Sequence, residues 1–224
     1  MPDKLHASEF IGAWQRESIS IEGREPYEDS NVLWLHAGDY FADIRWPKSG
    51  NRTGPTSAFA GKSFWESPNM RFMHEIDLTK EFDEDTGHLS LLNSQLIEKG
   101  KITIGDKVIR FQEVWSRTTT STVEHCQVAA RSDDLGMGYI VRVSDHVIAM
   151  EETDEQFSTA TWTRDDNKDW ILQIGVGDMQ GLNVLLDSFV GGSLAAPWVA
   201  YTLGSHTVLH ADLRSIFTPA ANVP

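Results

Sequence analysis

The segment from Tyr40 to Pro47 carries charged and aromatic side chains at the spacing of one strand face. In a β-strand alternate residues share a face, so Phe41, Asp43 and Arg45 would lie together. An arginine that an aspartate orients in a water-poor cavity can stabilise a developing oxyanion. The alternative is a surface ion pair on a half-exposed hairpin, which would contribute little to stability. The opposite strand face is also apolar, which favours a lined cavity.

The segment around His74 offers either a base or an acid, depending on which strand face turns inward. Alternation groups His74 with Phe72 and Ile76 and leaves Glu75 on the other face. An inward His74 would titrate near its ordinary range and could transfer protons. An inward Glu75 would be an acid whose pKa burial raises. A hydrogen-bonded structural histidine is the alternative to both.

A third candidate lies in the segment from Phe111 to Arg117. Strand alternation places Glu113 beside Trp115, where desolvation could hold the carboxyl partly protonated and ready for acid/base work. Arg117 could instead close over the Trp14 ring at the end of the structure, in a structural cation–π contact.

Aromatic side chains are frequent, with eight Trp and ten Phe in the chain. Aromatic walls with a few polar groups are typical of a pocket for a mostly apolar ligand, although ordinary core packing also uses aromatic residues. The side chains that we expect to contact a hydrophobic or aromatic small molecule are Trp34, His36, Phe41, Phe72 and Trp115.

The elements that must position these residues are strands. Residues 31–47 predict a hairpin that turns near Gly38, and strand patterns between turn signals continue through both halves of the chain. Helical spacing is confined to Asp178–Val190, with a short helical turn expected before Gly12. We therefore predict an all-β fold with one short helix, closed into an antiparallel barrel because closure removes exposed sheet edges. The absence of a linker favours a single domain over residues 1–224, with two sub-barrels (1–120 and 121–224) as the alternative.

Charge and composition exclude several classes of partner. The formal net charge of -14 would repel a phosphate backbone, so we expect no nucleic-acid partner. No apolar run approaches the roughly 18 residues of a membrane span, and the N-terminal residues lack a signal-peptide core. A single cysteine, Cys126, excludes an internal disulfide and fits a reducing compartment. We expect a cytoplasmic protein. The sequence is compatible with either a monomer or a homodimer.

Motifs for metals and cofactors are incomplete. His74-Glu75 is followed by Leu78 where a zinc protease needs its second histidine. The acidic run Asp83–Gly87 begins like a calcium loop but lacks the closing glutamate, so we expect a solvated turn there. We therefore predict no metal and no cofactor.

Several sequence blocks indicate a family. Gly12-Ala13-Trp14, after a short helical turn, resembles the G-x-W opening of lipocalins and the wider calycin group. The blocks SISIEGREPYEDSNVLWL, DYFADIRWP, AFAG, MHEIDL, LIEKG and QEVW follow in an order similar to that of the fungal Hri-type calycin-like proteins and their bacterial relatives. The likeness covers roughly Arg16 to Trp115. It implies a lipocalin-like antiparallel barrel with an internal pocket, but no catalytic motif.

Two functions follow as hypotheses. The first is a cofactor-independent lyase or isomerase that acts on a hydrophobic, aromatic small molecule by acid/base chemistry. In it His74 or Glu75 moves a proton, with Glu113 as a further acid or base. Arg45, oriented by Asp43, stabilises negative charge. The second is a non-catalytic carrier or sensor of a hydrophobic ligand, while a protein-interaction module would need an exposed apolar patch and a filled barrel.

Overall fold

Eight antiparallel strands close into a barrel in which each strand pairs with the next and the eighth pairs with the first. The computed structural model describes residues 5–48, 54–80, 84–104, 106–118, 126–133, 136–179, 182–184, 199–202 and 217–219. The barrel strands are β1 (Gly12–Ile21), β2 (Ser30–Ala37), β3 (Tyr40–Pro47), β4 (Ser57–Glu66), β5 (Asn69–Asp77), β6 (Glu84–Leu92), β7 (Gln95–Ile104) and β8 (Lys107–Arg117). The prediction of an all-β chain built on a closed antiparallel barrel is confirmed.

The later strands form a separate six-stranded antiparallel sheet. Its strands are β9 (Cys126–Asp133), β10 (Gly136–Val143), β11 (His146–Glu152), β12 (Phe157–Arg164), β13 (Trp170–Val176) and β15 (Val199–Thr202), in the order β13-β12-β11-β10-β9-β15. A two-stranded ribbon joins β14 (Leu182–Val184) to β16 (Phe217–Pro219). Whether the chain folds as one domain or as two stays a prediction.

Strand alternation sends apolar side chains into two separate cores. Trp34 and Phe41 point into the barrel, whereas Leu35 and Ile44 on the same two strands point out of it. The outward side chains pack beneath the second sheet, against residues such as Val141. The predicted face of β3 is confirmed, and the second sheet explains why the outer faces of β2 and β3 are also apolar.

A β-bulge in β5 interrupts this alternation at Glu75. Gly61 of β4 pairs with His74 and the preceding Ala60 pairs with Ile76, so Glu75 is an extra residue in the ladder. A Cβ at Gly61 would lie 2.1 Å from the Met73 carbonyl oxygen, so only glycine fits opposite the bulge. The expectation that His74 and Ile76 share a face is therefore wrong, since Ile76 packs outside the barrel.

The N-terminal segment closes one end of the barrel. Phe10 and Trp14 are fully buried there, and the Trp14 indole donates to the Phe10 carbonyl at 2.8 Å. The Arg117 guanidinium lies 4.4 Å from the Trp14 ring centroid and donates to the Ile11 carbonyl at 2.9 Å. The predicted cation–π contact of Arg117 is confirmed.

Helix is confined, among the described residues, to single 3-10 turns at Ala7–Glu9 and Gly177–Met179. The turn expected before β1 is confirmed. The helix expected over Asp178–Val190 is wrong in its described part, because Leu182–Val184 pair with β16, and residues 185–190 lie outside the described residues. None of the described helices has the length and apolar character needed to span a membrane.

Candidate functional site

A cavity of about 330 Å³ lies inside the barrel. Its walls combine aromatic rings with ionisable groups, and solvent reaches the side on which Arg45 is 29% and Asp85 36% exposed. The lining residues include eight of the ten predicted site residues: Asp43, Arg45, His74, Glu113, Trp34, Phe41, Phe72 and Trp115. The structure therefore brings most of the predicted site together in one hollow.

Arg45 is the permanent cation of the cavity. Its Nε donates to Asp43 Oδ1 at 2.8 Å, and its guanidinium lies 5.3 Å from the centroid of the Phe59 ring. Burial alone would lower the pKa of Arg45, but attraction to Asp43 and Glu113 raises it overall. Asp43 thus orients Arg45, as the alternation of β3 predicts.

His74 is held between two carboxylates. Its Nδ1 lies 3.0 Å from Asp77 Oδ2 and its Nε2 lies 3.6 Å from Asp85 Oδ2, while the ring stacks on Phe59 at 4.3 Å between centroids. Burial lowers the pKa of His74, but the two carboxylates outweigh it and raise the pKa to about 9. The expectation of an ordinary titration range is wrong: near neutral pH the ring is an imidazolium.

Glu98 and Glu113 form a pair of opposed carboxyls on β7 and β8. Burial and the neighbouring Glu113 raise the pKa of Glu98 well above its ordinary value. Burial also raises the pKa of Glu113, although Arg45 and Arg16 act in the opposite direction and Arg16 donates to its carboxylate. No arginine donates to the Glu98 carboxyl as Arg16 does to Glu113, so Glu98 is the more readily protonated of the two.

Two tryptophans at the cavity wall have unused hydrogen-bond donors. Trp34 and Trp115 line the cavity, are 3% and 2% exposed, and bury indole nitrogens that have no partner among the described residues. Asp85 Oδ1 is likewise a buried atom without a hydrogen bond. A buried donor without an acceptor costs about 1–3 kcal/mol, so these atoms indicate a place for a ligand or for ordered water.

Two predicted site residues do not line the cavity. Glu75 follows the inward-facing His74 and lies on the outer face of β5, where it accepts from the Tyr139 hydroxyl and lies 3.4 Å from Lys62 Nζ. His36 lies inside the barrel with its Nε2 2.8 Å from Ser63 Oγ, and burial lowers its pKa to about 4. The structure corrects both assignments: Glu75 is not an interior acid, and His36 is a neutral structural residue.

Sequence reasoning missed the other acids of the cavity. Asp77 enters because the bulge reverses the faces of β5. Asp85 enters because residues 84–87 of the acidic run begin β6, so the solvated turn expected there is wrong in its described part. Glu98 shares an inner face with Leu96, and the missing side chain of Gly87 leaves room for it, since a Cβ there would lie 2.3 Å from Glu98 Oε1. Of these three acids, only Glu98 could have been predicted from the sequence, because it alternates with the apolar Leu96 on one strand face.

This arrangement can bind a mostly apolar molecule and exchange protons with it. Arg45 and the His74 imidazolium supply fixed positive charge, and neutral Glu98 can donate a hydrogen bond. Within the described ranges, no three or more histidine, cysteine or acidic side chains are grouped so that they could hold a metal ion.

Comparisons with known proteins place this barrel in a family. A crystal structure of the uncharacterized protein YLR301w from Saccharomyces cerevisiae has a similar fold, with a TM-score of 0.62 and 13% identity, covering 74% of this chain and 85% of that chain. At that identity the likeness shows the fold alone, and no curated protein sequence matches the chain. The family model described as Protein HRI1 matches residues 13–186, which include the barrel and most of the second sheet. The chain therefore belongs to the HRI1 family.

Proposed function

We propose that the protein binds a small, mostly apolar molecule inside the barrel. The observation that carries this proposal is the pair of unused indole donors, on Trp34 and Trp115, at the wall of a cavity of about 330 Å³. That volume falls in the range of small-molecule pockets, roughly 300–1,000 Å³. A ligand with an oxygen acceptor would satisfy the donors while its apolar body fills the remaining space.

The walls support a ligand with an aromatic or branched apolar body. Phe41 lies 5.0 Å from Phe72 and Trp34 lies 5.7 Å from Trp115 between ring centroids, both in edge-to-face geometry. These rings can pack against an aromatic ligand in the same edge-to-face geometry in which they pack against each other. This agrees with the lipocalin-like binding role that the sequence resemblance implies, which stays a prediction.

Titration with a panel of small aromatic and aliphatic amines, alcohols and carboxylic acids tests the proposal. Isothermal titration calorimetry and tryptophan fluorescence should both respond, because Trp34 and Trp115 line the cavity. We expect at least one compound class to bind with a dissociation constant on the order of micromolar.

A filled cavity distinguishes binding inside the barrel from binding to its surface. Ile109 lines the cavity, whereas the preceding residue of β8, Val108, is 52% exposed. Ile109→Trp should abolish binding and Val108→Trp should preserve it, with Ile19→Phe as a second filling variant on β1. If Ile109→Trp or Ile19→Phe folds and binds the ligand as tightly as wild type does, an internal site is refuted. The proposal is also refuted if no compound of the panel binds.

A second candidate is acid/base catalysis by a cofactor-independent lyase or isomerase on the same ligand. The observation that favours it is the Glu98–Glu113 pair, because environments that push two pKa values apart prepare one acid and one base. Glu98 would donate a proton and ionised Glu113 would accept one. Arg45 would stabilise the negative charge that develops between these steps.

Hydrogen exchange tests this second candidate without knowledge of the reaction. A ligand found by titration is incubated with the protein in D2O, and exchange of its carbon-bound hydrogens is followed by mass spectrometry. Catalysis predicts exchange that Glu113→Gln and Arg45→Gln abolish even when the ligand saturates each variant. If no bound ligand exchanges a carbon-bound hydrogen, the catalytic candidate is refuted and the carrier or sensor hypothesis is favoured.

A further inference from the structure

We propose that the natural ligand of the barrel is a cation, an amine attached to an apolar body, and that Asp85, Glu98 and Glu113 form its counter-charge. This inference rests on the proposed binding function and adds the chemical class of the ligand. It separates this barrel from a carrier of fatty acids or other carboxylates.

Charge counting supports a cationic guest. Two cations line the cavity, Arg45 and His74. Five carboxyls also line it: Asp43, Asp77, Asp85, Glu98 and Glu113. Arg16, behind Glu113, brings no surplus, because Glu28 neutralises it through an ion pair of 2.7 Å. The sum stays negative when Glu98 is protonated, and even when Glu113 is protonated too. A carboxylate ligand would add to this excess.

The excess is concentrated on one wall. Asp43 faces Arg45 at 2.8 Å, and Asp77 faces the His74 ring at 3.0 Å, so these two carboxylates are already paired. The other three lie on the neighbouring strands β6, β7 and β8. Asp85 lies 3.6 Å from His74 Nε2 and Glu113 accepts from Arg16, whereas Glu98 has no ion pair among the described residues and is repelled by both of these carboxylates. An ammonium group at this wall would meet unbalanced negative charge.

Hydrogen-bonding capacity on this wall is also unused. Burial and neighbouring charges, and no hydrogen bond, act on the Glu98 carboxyl, and Asp85 Oδ1 is buried without a partner among the described residues. An ammonium offers up to three N–H donors, which would satisfy both carboxyls and allow Glu98 to ionise.

Aromatic residues of the cavity wall suit the same guest. Trp34 and Trp115 line the cavity, and their indole N–H groups have no partner among the described residues. A ring face attracts a cation by its quadrupole, and the N–H groups take an oxygen acceptor. The cavity therefore favours an aromatic or branched amine that also carries an ether, hydroxyl or carbonyl oxygen.

Three probes of one shape test the charge preference: 1-naphthylmethylamine, 1-naphthalenemethanol and 1-naphthoate. Calorimetric titration near pH 7 should rank the amine at least about ten-fold above the alcohol, since a hydrogen bond to a charged group contributes about 1.5–3 kcal/mol and 1.4 kcal/mol is ten-fold. The carboxylate should bind most weakly.

Variants locate the preference on the acidic wall. Glu98→Gln keeps the shape of the side chain and should remove most of the advantage of the amine while leaving alcohol affinity within two-fold. Glu17→Gln, at an exposed position of β1, removes the same formal charge outside the cavity and should change neither. Asp85→Asn provides a second test on β6 if Glu98→Gln fails to fold.

The outcomes separate this inference from the function on which it rests. If 1-naphthoate or the acids of the wider panel bind as tightly as their amine counterparts, the cationic ligand is refuted and the binding function survives. If only neutral compounds bind, the inference is refuted in the same way. If no compound of any class binds, both fail together.

Discussion

Glu98 and Glu113 face each other across the β7–β8 ladder, two buried carboxyls in directly opposed positions. Cross-strand neighbours of like charge destabilise a sheet when both are ionised. The barrel tolerates the pair because Arg16 donates a hydrogen bond to the Glu113 carboxylate and because the raised pKa of Glu98 favours its uncharged form. This relationship sets the electrostatic character of the cavity.

Glu98→Gln should stabilise the protein near neutral pH. The folded-state pKa of Glu98 is raised, so folding is penalised as the pH rises above the unfolded value of about 4.5. The glutamine variant escapes this penalty. Urea denaturation should show a gain on the order of 1–2 kcal/mol at pH 7.5 and little gain at pH 4.5. A gain of equal size at both pH values would contradict the assignment, and Glu17→Gln serves as the control.

His74 should make stability fall with rising pH over a defined window. Its folded pKa of about 9 exceeds its unfolded value of 6.5, so its contribution is complete below pH 6.5 and is lost as the pH rises through 9. After allowance for solvent screening, we expect wild type to lose about 1–2 kcal/mol over this range beyond the loss of His74→Gln. Parallel pH profiles for the two proteins would show that His74 is not held as an imidazolium.

Gly61→Ala should disrupt the bulge that brings Asp77 into the cavity beside His74. The added Cβ would lie 2.1 Å from the Met73 carbonyl oxygen and 2.8 Å from the Glu75 nitrogen. We expect a loss of about 2–4 kcal/mol in the free energy of unfolding, the scale of a buried backbone clash. Gly23→Ala provides the comparison, because its φ of +69° is strained but nothing lies within 4 Å of the new Cβ. Similar losses in the two variants would rule out a steric requirement at the bulge.

Tyr139→Phe should weaken the contact between the second sheet and the barrel. The Tyr139 hydroxyl donates to the Glu75 carboxylate on the outside of β5. Its removal should lower the free energy of unfolding by about 1–2 kcal/mol without changing ligand affinity, because Glu75 does not line the cavity. Tyr27→Phe, with a tyrosine that is 47% exposed, should change neither quantity. A change in ligand affinity in Tyr139→Phe would contradict the placement of Glu75 outside the binding site.

Much of the fold can be predicted from sequence because strand alternation is a local property. The faces of β2 and β3 follow from side-chain spacing alone, so Asp43, Arg45 and Trp34 could be placed together without coordinates. The separate second sheet could not be anticipated in this way. Its strands are locally indistinguishable from barrel strands, and only the apolar outer residues of the barrel, such as Ile44, hint that something covers them.

The errors at the site have one physical origin each. A single extra residue at Glu75 reversed the faces of everything after it, and the glycine that permits it lies on another strand, so no pattern within β5 reveals it. The pKa of His74 depends on Asp85, which is eleven residues away and was assigned to a turn. Long-range pairing, rather than local propensity, decides these positions.

Phe10 and Trp14 fill one end of the barrel among the described residues, so we expect a ligand to enter and leave at the other end, beside Arg45. Whatever enters must leave by the route through which it came, so a departing molecule and an arriving one cannot pass each other. Exchange is then strictly sequential. The dissociation rate of a bound ligand would then not depend on the concentration of a competing ligand. If the protein is an enzyme, its turnover rate could not exceed the rate of product release.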